Sequence, residues 1–493
     1  MTSEPRRLHR SAILLNGLSA LRDVAVPLLV AFVAGMGAGR GGSSALYFGV
    51  AGVLIAVAVG YRRWMTTTWW VSSGGVHLRS GLLSISETVV PQGRIQAIDT
   101  SQNPLQRTFG TLSVQVQTAG GGSRAEIVLS AVTPAEAREL RAAVGLAEPA
   151  ERVTEELRLG AGGLLVAALT APQLGVLLPI VAAAATIGDE VFFEGLRRGW
   201  FERLPAGPAL VLTGLVVALI AWAISTLGTI VAFAHFTVER DQDRLRIRRG
   251  LAQRRVASLP LSRVHAVHIV EGIVRQPFGL ASLRLETAGY RGEPAAAQTL
   301  FPLLRRRDVE AVLARLVPEL AGAPGANVAL EPPPRRALRR YVLPGAAVAV
   351  LAALALMAAG VVWSQPVAWP GGVLLVLLAL AHGAARFRAA GWRLDEKRIL
   401  IRGRRLARWT LIARVTRLQE HGISQTPFQR RSGLADFGLA VGSGRRAAIA
   451  HLEREVASRL LRALEPAAVA GRPGSGEARR PPPMAAAAPM DAA

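Results

Sequence analysis

Residues 91–120 read PQGRIQAIDTSQNPLQRTFGTLSVQVQTAG, and residues 260–289 read PLSRVHAVHIVEGIVRQPFGLASLRLETAG. The offset is 260 − 91 = 169 and holds without a gap. Pro91 meets Pro260, Arg94 meets Arg263, Ala97 meets Ala266, Phe109-Gly110 meets Phe278-Gly279, and Ser113 meets Ser282. Between them apolar residues replace apolar ones: Ile95 becomes Val264, Val114 becomes Leu283 and Val116 becomes Leu285. A looser third copy lies at Leu411 to Gly442, where Gln425, Pro427, Arg430 and Gly433 echo Gln102, Pro104, Arg107 and Gly110. Read by identity, this copy needs a different register at each end. Repetition of this kind makes the chain an array of one unit.

The patterning inside the unit is that of a half-buried sheet. Leu112, Val114 and Val116 alternate with Ser113, Gln115 and Gln117, and Gly74-Gly75 and Gly81 punctuate the strands before them. Thr133 to Val144 reads as a helix, with Thr133 as cap, Pro134 in the first turn and Glu136 completing a capping box. In the second copy Phe236, Val238, Leu245 and Ile247 alternate, and Arg307 to Leu320 has helical spacing. In the third, Trp392, Leu394, Ile399 and Ile401 flank the polar turn Asp395 to Arg398, and Leu452 to Leu464 closes the copy. Several short strands and one amphipathic helix make a small sandwich or barrel covered by that helix.

Ahead of each copy stand two apolar runs: Val24 to Gly39 with Ala45 to Gly60, Leu159 to Ile187 with Pro208 to Ala234, and Tyr341 to Trp363 with Val367 to Ala385. Each approaches the roughly 20 residues that cross a bilayer. The first pair could be mistaken for a signal peptide, with Ala and Gly near Met36 resembling a cleavage region, but the pattern recurs twice and marks retained hairpins. Hydrophobic residues are 51% of the 493, while the net charge is +24. Mean hydropathy is +0.32 and the pI near 11.7. Lys397 is the sole lysine, so the charge is arginine. Arg22, Arg62, Arg63, Arg335, Arg336, Arg339, Arg340, Arg386 and Arg388 flank the run ends that face the termini. The positive-inside rule therefore predicts six spans with both termini and all three repeats in the cytoplasm. In the loop Gly188 to Gly207, Phe192, Phe193, Leu196, Trp200 and Leu204 share one helical face, which predicts an interfacial helix on the far side.

This arrangement resembles the bacterial YdbT-type membrane protein family with its pleckstrin-homology-like (YdbS/YdbT-like) domains. The resemblance rests on the threefold hairpin-plus-domain unit and on the phrases PQGRIQAI and QNPLQRTFGTLSV with their echoes PLSRVHAV and RQPFGLASL. It implies a pleckstrin-homology-like sandwich after each hairpin, anchored to the bacterial plasma membrane, and a smaller single-domain relative as companion. In the third copy Ser432 stands where the phenylalanine of the Phe-Gly pair would be.

The expected fold class is membrane α plus β: six transmembrane helices as three hairpins, each followed by a cytoplasmic PH-like sandwich or barrel with a C-terminal helix. The expected boundaries are hairpins at 1–64, 151–234 and 341–388, PH-like domains at 65–150, 235–320 and 389–466, a linker at 321–340 and a disordered tail at 467–493.

Cysteine is absent, so neither disulfides nor thiolate chemistry arise. No phosphate loop, Gly-x-Ser-x-Gly elbow or His-Glu-x-x-His occurs. His265 and His268 are three apart, which on a strand turns them to opposite faces, and Glu271 does not complete a metal shell. No cofactor, metal or catalytic residue is expected, and no nucleic acid partner. Arg94 and Arg263, with Arg417 or Arg414 as third, are candidates for an anionic headgroup or a partner's carboxylates. Arg62, Arg63, Arg339 and Arg340 are candidates for anionic lipid at the membrane surface. Within the spans Gln173 and His382 are the main polar groups, as interhelical contacts or, in a transport reading, as relay groups. The expectation is a non-enzymatic scaffold or assembly platform, in envelope-stress or antimicrobial defence. A membrane transport or export component is the alternative, and homo-oligomerisation is left open.

Overall fold

The computed structural model describes residues 4–21, 43–81, 84–118, 126–146, 155–171, 206–287, 299–322, 329–362 and 368–470. The apolar run at 24–39, most of that at 159–187, residues 188–205 of the aromatic loop, and the tail from 471 lie outside the described residues.

The first copy begins with β1 (Arg6–Arg7) and the helices α1 (Ala12–Leu21) and α2 (Ser43–Thr66). Then come β2 (Thr68–Ser72), β3 (Gly75–Gly81), β4 (Ile85–Pro91), a 3-10 turn (Gln92–Arg94) and β5 (Ile95–Gln102). It ends with α3 (Pro104–Thr108), β6 (Leu112–Thr118), β7 (Ile127–Val132) and α4 (Pro134–Ala143).

The second copy has β8 (Glu155–Arg158), α5 (Ala161–Leu169), α6 (Ala206–Phe233), β9 (Thr237–Asp241), β10 (Arg244–Arg249) and β11 (Arg254–Pro260). A 3-10 turn (Leu261–Arg263) leads to β12 (Val264–Glu271), β13 (Leu280–Thr287), β14 (Thr299–Arg305) and α7 (Val309–Leu316).

The third has α8 (Leu338–Val362), α9 (Ala368–Ala389), β15 (Gly391–Leu394), β16 (Arg398–Arg404), β17 (Arg408–Arg414) and a 3-10 turn (Val415–Arg417). It closes with β18 (Leu418–Ser424), α10 (Pro427–Arg431), β19 (Leu434–Val441), β20 (Arg446–Glu453) and α11 (Arg454–Ala470).

These elements correct the expectation of a broken third register. From β3 to β10 the offset is 244 − 75 = 169, and from β3 to β16 it is 398 − 75 = 323. The larger offset persists at β4 and β17 (408 − 85 = 323) and at α3 and α10 (427 − 104 = 323). Burial rather than identity carries the register: Val76, Leu78, Val90, Val114 and Val116 correspond to Ile399, Ile401, Ala413, Phe437 and Leu439, and all ten are buried. Gly110, Gly279 and Gly433 match because each ends the turn after β5, β12 or β18 at φ of 63°, 60° and 62°, which a Cβ disfavours.

The strand order shows what the linear reading missed. Among the described residues the strands form four sheets, in the orders β1-β2-β3-β4, β7-β6-β5-β11-β10-β9-β8, β14-β13-β12-β17-β16-β15 and β18-β19-β20. Each copy thus divides its strands between two sheets, and the edge left at β5 or β12 is covered by β11 or β17 of the next copy. Val256 pairs Thr100 at one junction, and Ala266 pairs Ala413 at the other. Covered edges leave no template for aggregation. Three of the sheets also pair with a segment that precedes a hairpin: Arg6 pairs Trp69, Glu155 pairs Arg240, and Glu331 exchanges two backbone hydrogen bonds with Trp392. The described end of the linker is therefore part of a sheet.

By contacts the chain divides into two compact units. Unit 1 is Met1–Leu159 with Val231–Leu261 and Gly289–Glu293; unit 2 is Gly160–Ile230 with Ser262–Ala288 and Pro294–Ala493. In unit 1, Val76 and Val90 of one sheet meet Ile98, Val114 and Leu129 of the other, and α4 closes the core with Ala137 and Leu140. Each such side chain contributes about 1.5–3 kcal/mol by leaving water. Thr133 and Glu136 form the expected capping box. In unit 2, Ile399 and Leu411 meet Phe437 and Ile449 under Leu460 and Leu464 of α11. The helix expected over 307–320 breaks at Val317, because Pro318 pushes the preceding residue out of the α region (φ −139°, ψ 68°).

Two helices among the described residues, Arg335–Val362 and Trp369–Ala389, are long and apolar enough to cross a bilayer; Ala12–Leu21 and Ala218–Phe233 are shorter apolar helices. Of the six expected spans, these two pass that test among the described residues. Paired helices approach closely at glycine in both units. A Cβ on Gly60 would lie 2.4 Å from the Ile13 carbonyl oxygen, and one on Gly383 would lie 2.7 Å from Val342 Cα. These glycines are again 383 − 60 = 323 apart. Small residues permit such backbone contact in lipid.

Candidate membrane-facing site

The turn arginines occupy one structural position. Arg94, Arg263 and Arg417 each close the 3-10 turn that links two sheets, at the offsets 169 and 323. Arg417 is thus the third equivalent; Arg414 is buried and paired with Glu319. Arg94 and Arg417 are exposed and Arg263 is half-buried. Arg417 lies near His265, which burial first and then Arg417 and Arg414 push down to about 4.

Of the helix-end arginines, Arg62, Arg63 and Arg339 are exposed. Arg340 is committed to its own domain. Its guanidinium donates to Phe428 O at 2.9 Å and Ser432 Oγ at 3.1 Å, and stacks over the Phe428 ring at 5.8 Å. Neighbouring Tyr341 donates from its hydroxyl to Ala450 O at 2.9 Å. The first turn of α8 is thereby fastened to the end of α10 and to β20.

That contact exposes a feature the sequence reading did not single out. The turn after β5, β12 and β18 carries large apolar side chains into solvent: Leu105 and Phe109 in the first copy, Ile273, Val274 and Phe278 in the second, and Phe428 in the third. Phe278 is 70% exposed and Phe428 63%. Capping boxes hold two of these turns, Asn103 with Gln106 and Thr426 with Gln429, while buried Gln106 donates to Ser130 O at 2.6 Å. In the second copy Arg275 takes the place of Gln106 (275 − 106 = 169). It is buried, donates to Thr170 Oγ1, Pro302 O and Ala167 O, and so pins this turn to α5. Burial and then Arg284 lower its pKa to about 10, which leaves it a cation.

Each exposed tip sits beside cations and helix ends of its own unit. In unit 1 Arg107 donates to Leu251 O at 3.1 Å, and Leu251 N donates to Val231 O in the last turn of α6. In unit 2 Arg404 donates to Gln276 Oε1, beside exposed Leu406. Apolar tips ringed by arginine at the ends of apolar helices have the composition of an interfacial anchor. The signal for them was present in the repeat itself, since Phe109 and Phe278 recur outside the buried alternation.

His265 and His268 lie on β12, and His268 is buried against Trp409 at 6.0 Å. Glu271 is fully buried and ion-paired with Arg306 and Arg408, so it serves the fold. Among the described residues no group of three His, Asp or Glu side chains is placed to hold a metal.

Comparison with known proteins agrees with this architecture. The bacterial PH domain family matches three stretches, residues 20–147, 166–319 and 340–468. Over 475 residues the chain is 27% identical to the UPF0699 transmembrane protein YdbT of Bacillus subtilis (strain 168), covering 90% of this chain and 94% of that protein. No solved structure matches the chain. A membrane protein with apolar helices and one sheet pattern used three times is what these matches describe, and the chain belongs to the bacterial PH domain family.

Proposed function

We propose that this protein is a non-enzymatic scaffold or assembly platform of the bacterial plasma membrane, with six spans in three hairpins and its termini and PH-like domains in the cytoplasm. One observation carries the reading: successive copies are joined by backbone pairing at β5–β11 and β12–β17. Domains meant to act independently would hang on linkers, whereas shared sheets hold neighbouring surfaces at fixed spacing. That is the requirement of a platform. The exposed tips rest in the headgroup region, and Arg62, Arg63 and Arg339 meet anionic lipid, each worth about 1 kcal/mol. Arg94, Arg263 and Arg417 present a repeated cation to partners. Candidates are a smaller single-domain PH-like membrane protein and a second copy of the chain, in envelope-stress or antimicrobial defence.

Affinity purification from native membranes, paired with solute flux in vesicles containing the purified protein, tests the role. A stable partner set without flux is expected. Solute-dependent flux without partners would replace the scaffold with a transport component. A reporter fused after Gly120 tests the orientation separately: cytoplasmic activity is expected, and periplasmic activity would reverse the topology.

A further inference from the structure

The strand order leaves one sheet edge of each kind unmatched. Strand β4 is the equivalent of β11 and β17, and β18 is the equivalent of β5 and β12, at the offsets 169 and 323. Inside the array β11 covers β5 and β17 covers β12. Among the described residues no strand covers β4 in the first copy or β18 in the last. The edges at β7, β14 and β20 are a different case, because they end a sheet in every copy alike.

Both open strands keep the features of their covered equivalents. The register of β18 shifts between Leu418 and Glu420, as that of β5 does between Ile95 and Ala97 and that of β12 between Val264 and Ala266. At the completed junctions Arg254 faces Gln102, Arg408 faces Glu271 and Ile412 faces Val267. Carried over by the repeat offsets, this register sets Ile85 of β4 opposite Gln425, Glu87 opposite Ile423 and Val89 opposite His421. No like charges meet in it: Glu87 has His77 of its own sheet at 3.2 Å, and Glu420 has Arg446 at 3.4 Å. Burial shows what is missing. Ile412 and Val267 are buried within the β12–β17 junction, whereas Val89, the equivalent of Ile412 (412 − 89 = 323), is 46% exposed and Ile85 is 56% exposed. Neither β4 nor β18 carries a lysine or arginine, the residues that commonly blunt an open edge.

We infer that β4 of one molecule pairs with β18 of a second copy of this chain, repeating between molecules the β11–β5 and β17–β12 step made within one. The occupant is a second copy because every molecule offers both halves of the contact, and its internal junctions are the template. Backbone hydrogen bonds hold such an added strand and alternate side chains set its register. The contact is head-to-tail, so it repeats into a ring or a row rather than stopping at a twofold dimer. This deepens the platform reading and rests on it: with all PH-like domains on the cytoplasmic side, copies in one membrane can meet through these edges.

The chain has no cysteine, so single cysteines report the contact cleanly. Full-length Val89→Cys and His421→Cys proteins, carrying tags of different size, are reconstituted together in phosphatidylcholine vesicles and oxidised. A disulfide-linked species containing one of each is expected, since facing residues hold their Cβ atoms about 4.5–5.5 Å apart. Val89→Cys with Gln425→Cys, about 13 Å out of register, should not link. A Val89→Cys/His421→Cys double variant should give a ladder of multimers. A disulfide confined to one chain, or links only between like variants, would overturn the inference. Sedimentation in neutral detergent supplies a second measurement. Ile85→Arg/Val89→Arg changes two exposed side chains and should weaken self-association about tenfold or more, with circular dichroism confirming the fold. Val128→Arg, equally exposed on β7, should associate as wild type does. Absence of self-association in the wild type would overturn the inference, as would undiminished association in a folded Ile85→Arg/Val89→Arg protein. In native membranes, a link from Val89→Cys to a different protein with none to a second copy would also overturn it, while leaving the platform reading standing. Solute flux without partners would remove the platform reading separately.

Discussion

The two junctions between copies share a strand register and differ in where countercharge comes from. At β12–β17, Glu271 receives Arg306 and Arg408, Arg398 pairs with Asp395 and lies 3.7 Å from Glu310, and Arg414 pairs with Glu319. Arg398 also donates to Leu320 O at 2.9 Å, so the cation seals the end of the helical segment after α7. At β5–β11 the acids sit elsewhere: Asp99 of β5 accepts from Ser258 N at 3.4 Å, Glu239 lies 3.5 Å from Arg248, and Gln102 stands opposite Arg254 where Glu271 stands opposite Arg408. Arginine on these strands is therefore not dictated by the sheet. Where the carboxylate stands across the strands decides which arginine becomes the structural fastening.

The sharpest way to break the comparison is to remove the buried acid. Glu271→Ala leaves two guanidinium groups facing each other without their shared anion and should cost about 3–5 kcal/mol, read as a lower unfolding midpoint in detergent. Gln102→Ala, at the matching position, removes one neutral hydrogen bond and should cost about 1 kcal/mol. Equal losses would mean that the two junctions are energetically alike.

A pH series probes the same strand. His268 sits on β12 with its pKa pushed down to about 3 by burial, then by Arg445 and Arg284, against an ordinary 6.5. As pH falls the unfolded chain takes up the proton first. Stability is therefore full above about 6.5, declines toward about 3 and is flat below, by on the order of 4 kcal/mol over the window. Unfolding midpoints from about pH 7 to about pH 4 should show this decline in the wild type and a shallower one in His268→Gln. Identical slopes would remove His268 as the cause. A smaller effect is expected at Arg398→Ala, which strands the Leu320 carbonyl and uncouples Asp395, at about 2 kcal/mol in the same unfolding assay.

How far the sequence revealed these junctions can be judged from particular residues. The repeat, the apolar runs, the Thr133 capping box and the alternation of Leu245 and Ile247 were legible because each is a local pattern. The partner of β5 was not. Which copy covers an edge depends on pairings such as Val256 with Thr100, far apart in sequence and unmarked by any motif. The same holds for β1, β8 and Glu331, which join sheets across an intervening hairpin. The arginine face of β10 had half a signal: the alternation that buried Leu245 also placed Arg244, Arg246 and Arg248 on one face. What sequence lacked was the identity of the residues opposite, and Gln102 in place of Glu271 is informative only once the register is known. Arg340 shows the converse, since a cation read as a lipid contact is held by Phe428 O and Ser432 Oγ.

The smallest expected effect is the one that most sharpens the contrast. Arg254 is exposed and stands opposite the neutral Gln102, and Arg255 is exposed beside it, so the fold depends on them less than on Arg408. Arg254→Gln and Arg255→Gln should each change stability by no more than about 0.5 kcal/mol, with any gain largest at low ionic strength. The equivalent change in unit 2, Arg408→Gln, leaves Glu271 with one cation and should be plainly destabilising. A large loss from Arg254→Gln would show that both junctions use arginine structurally, and the distinction between them would fail.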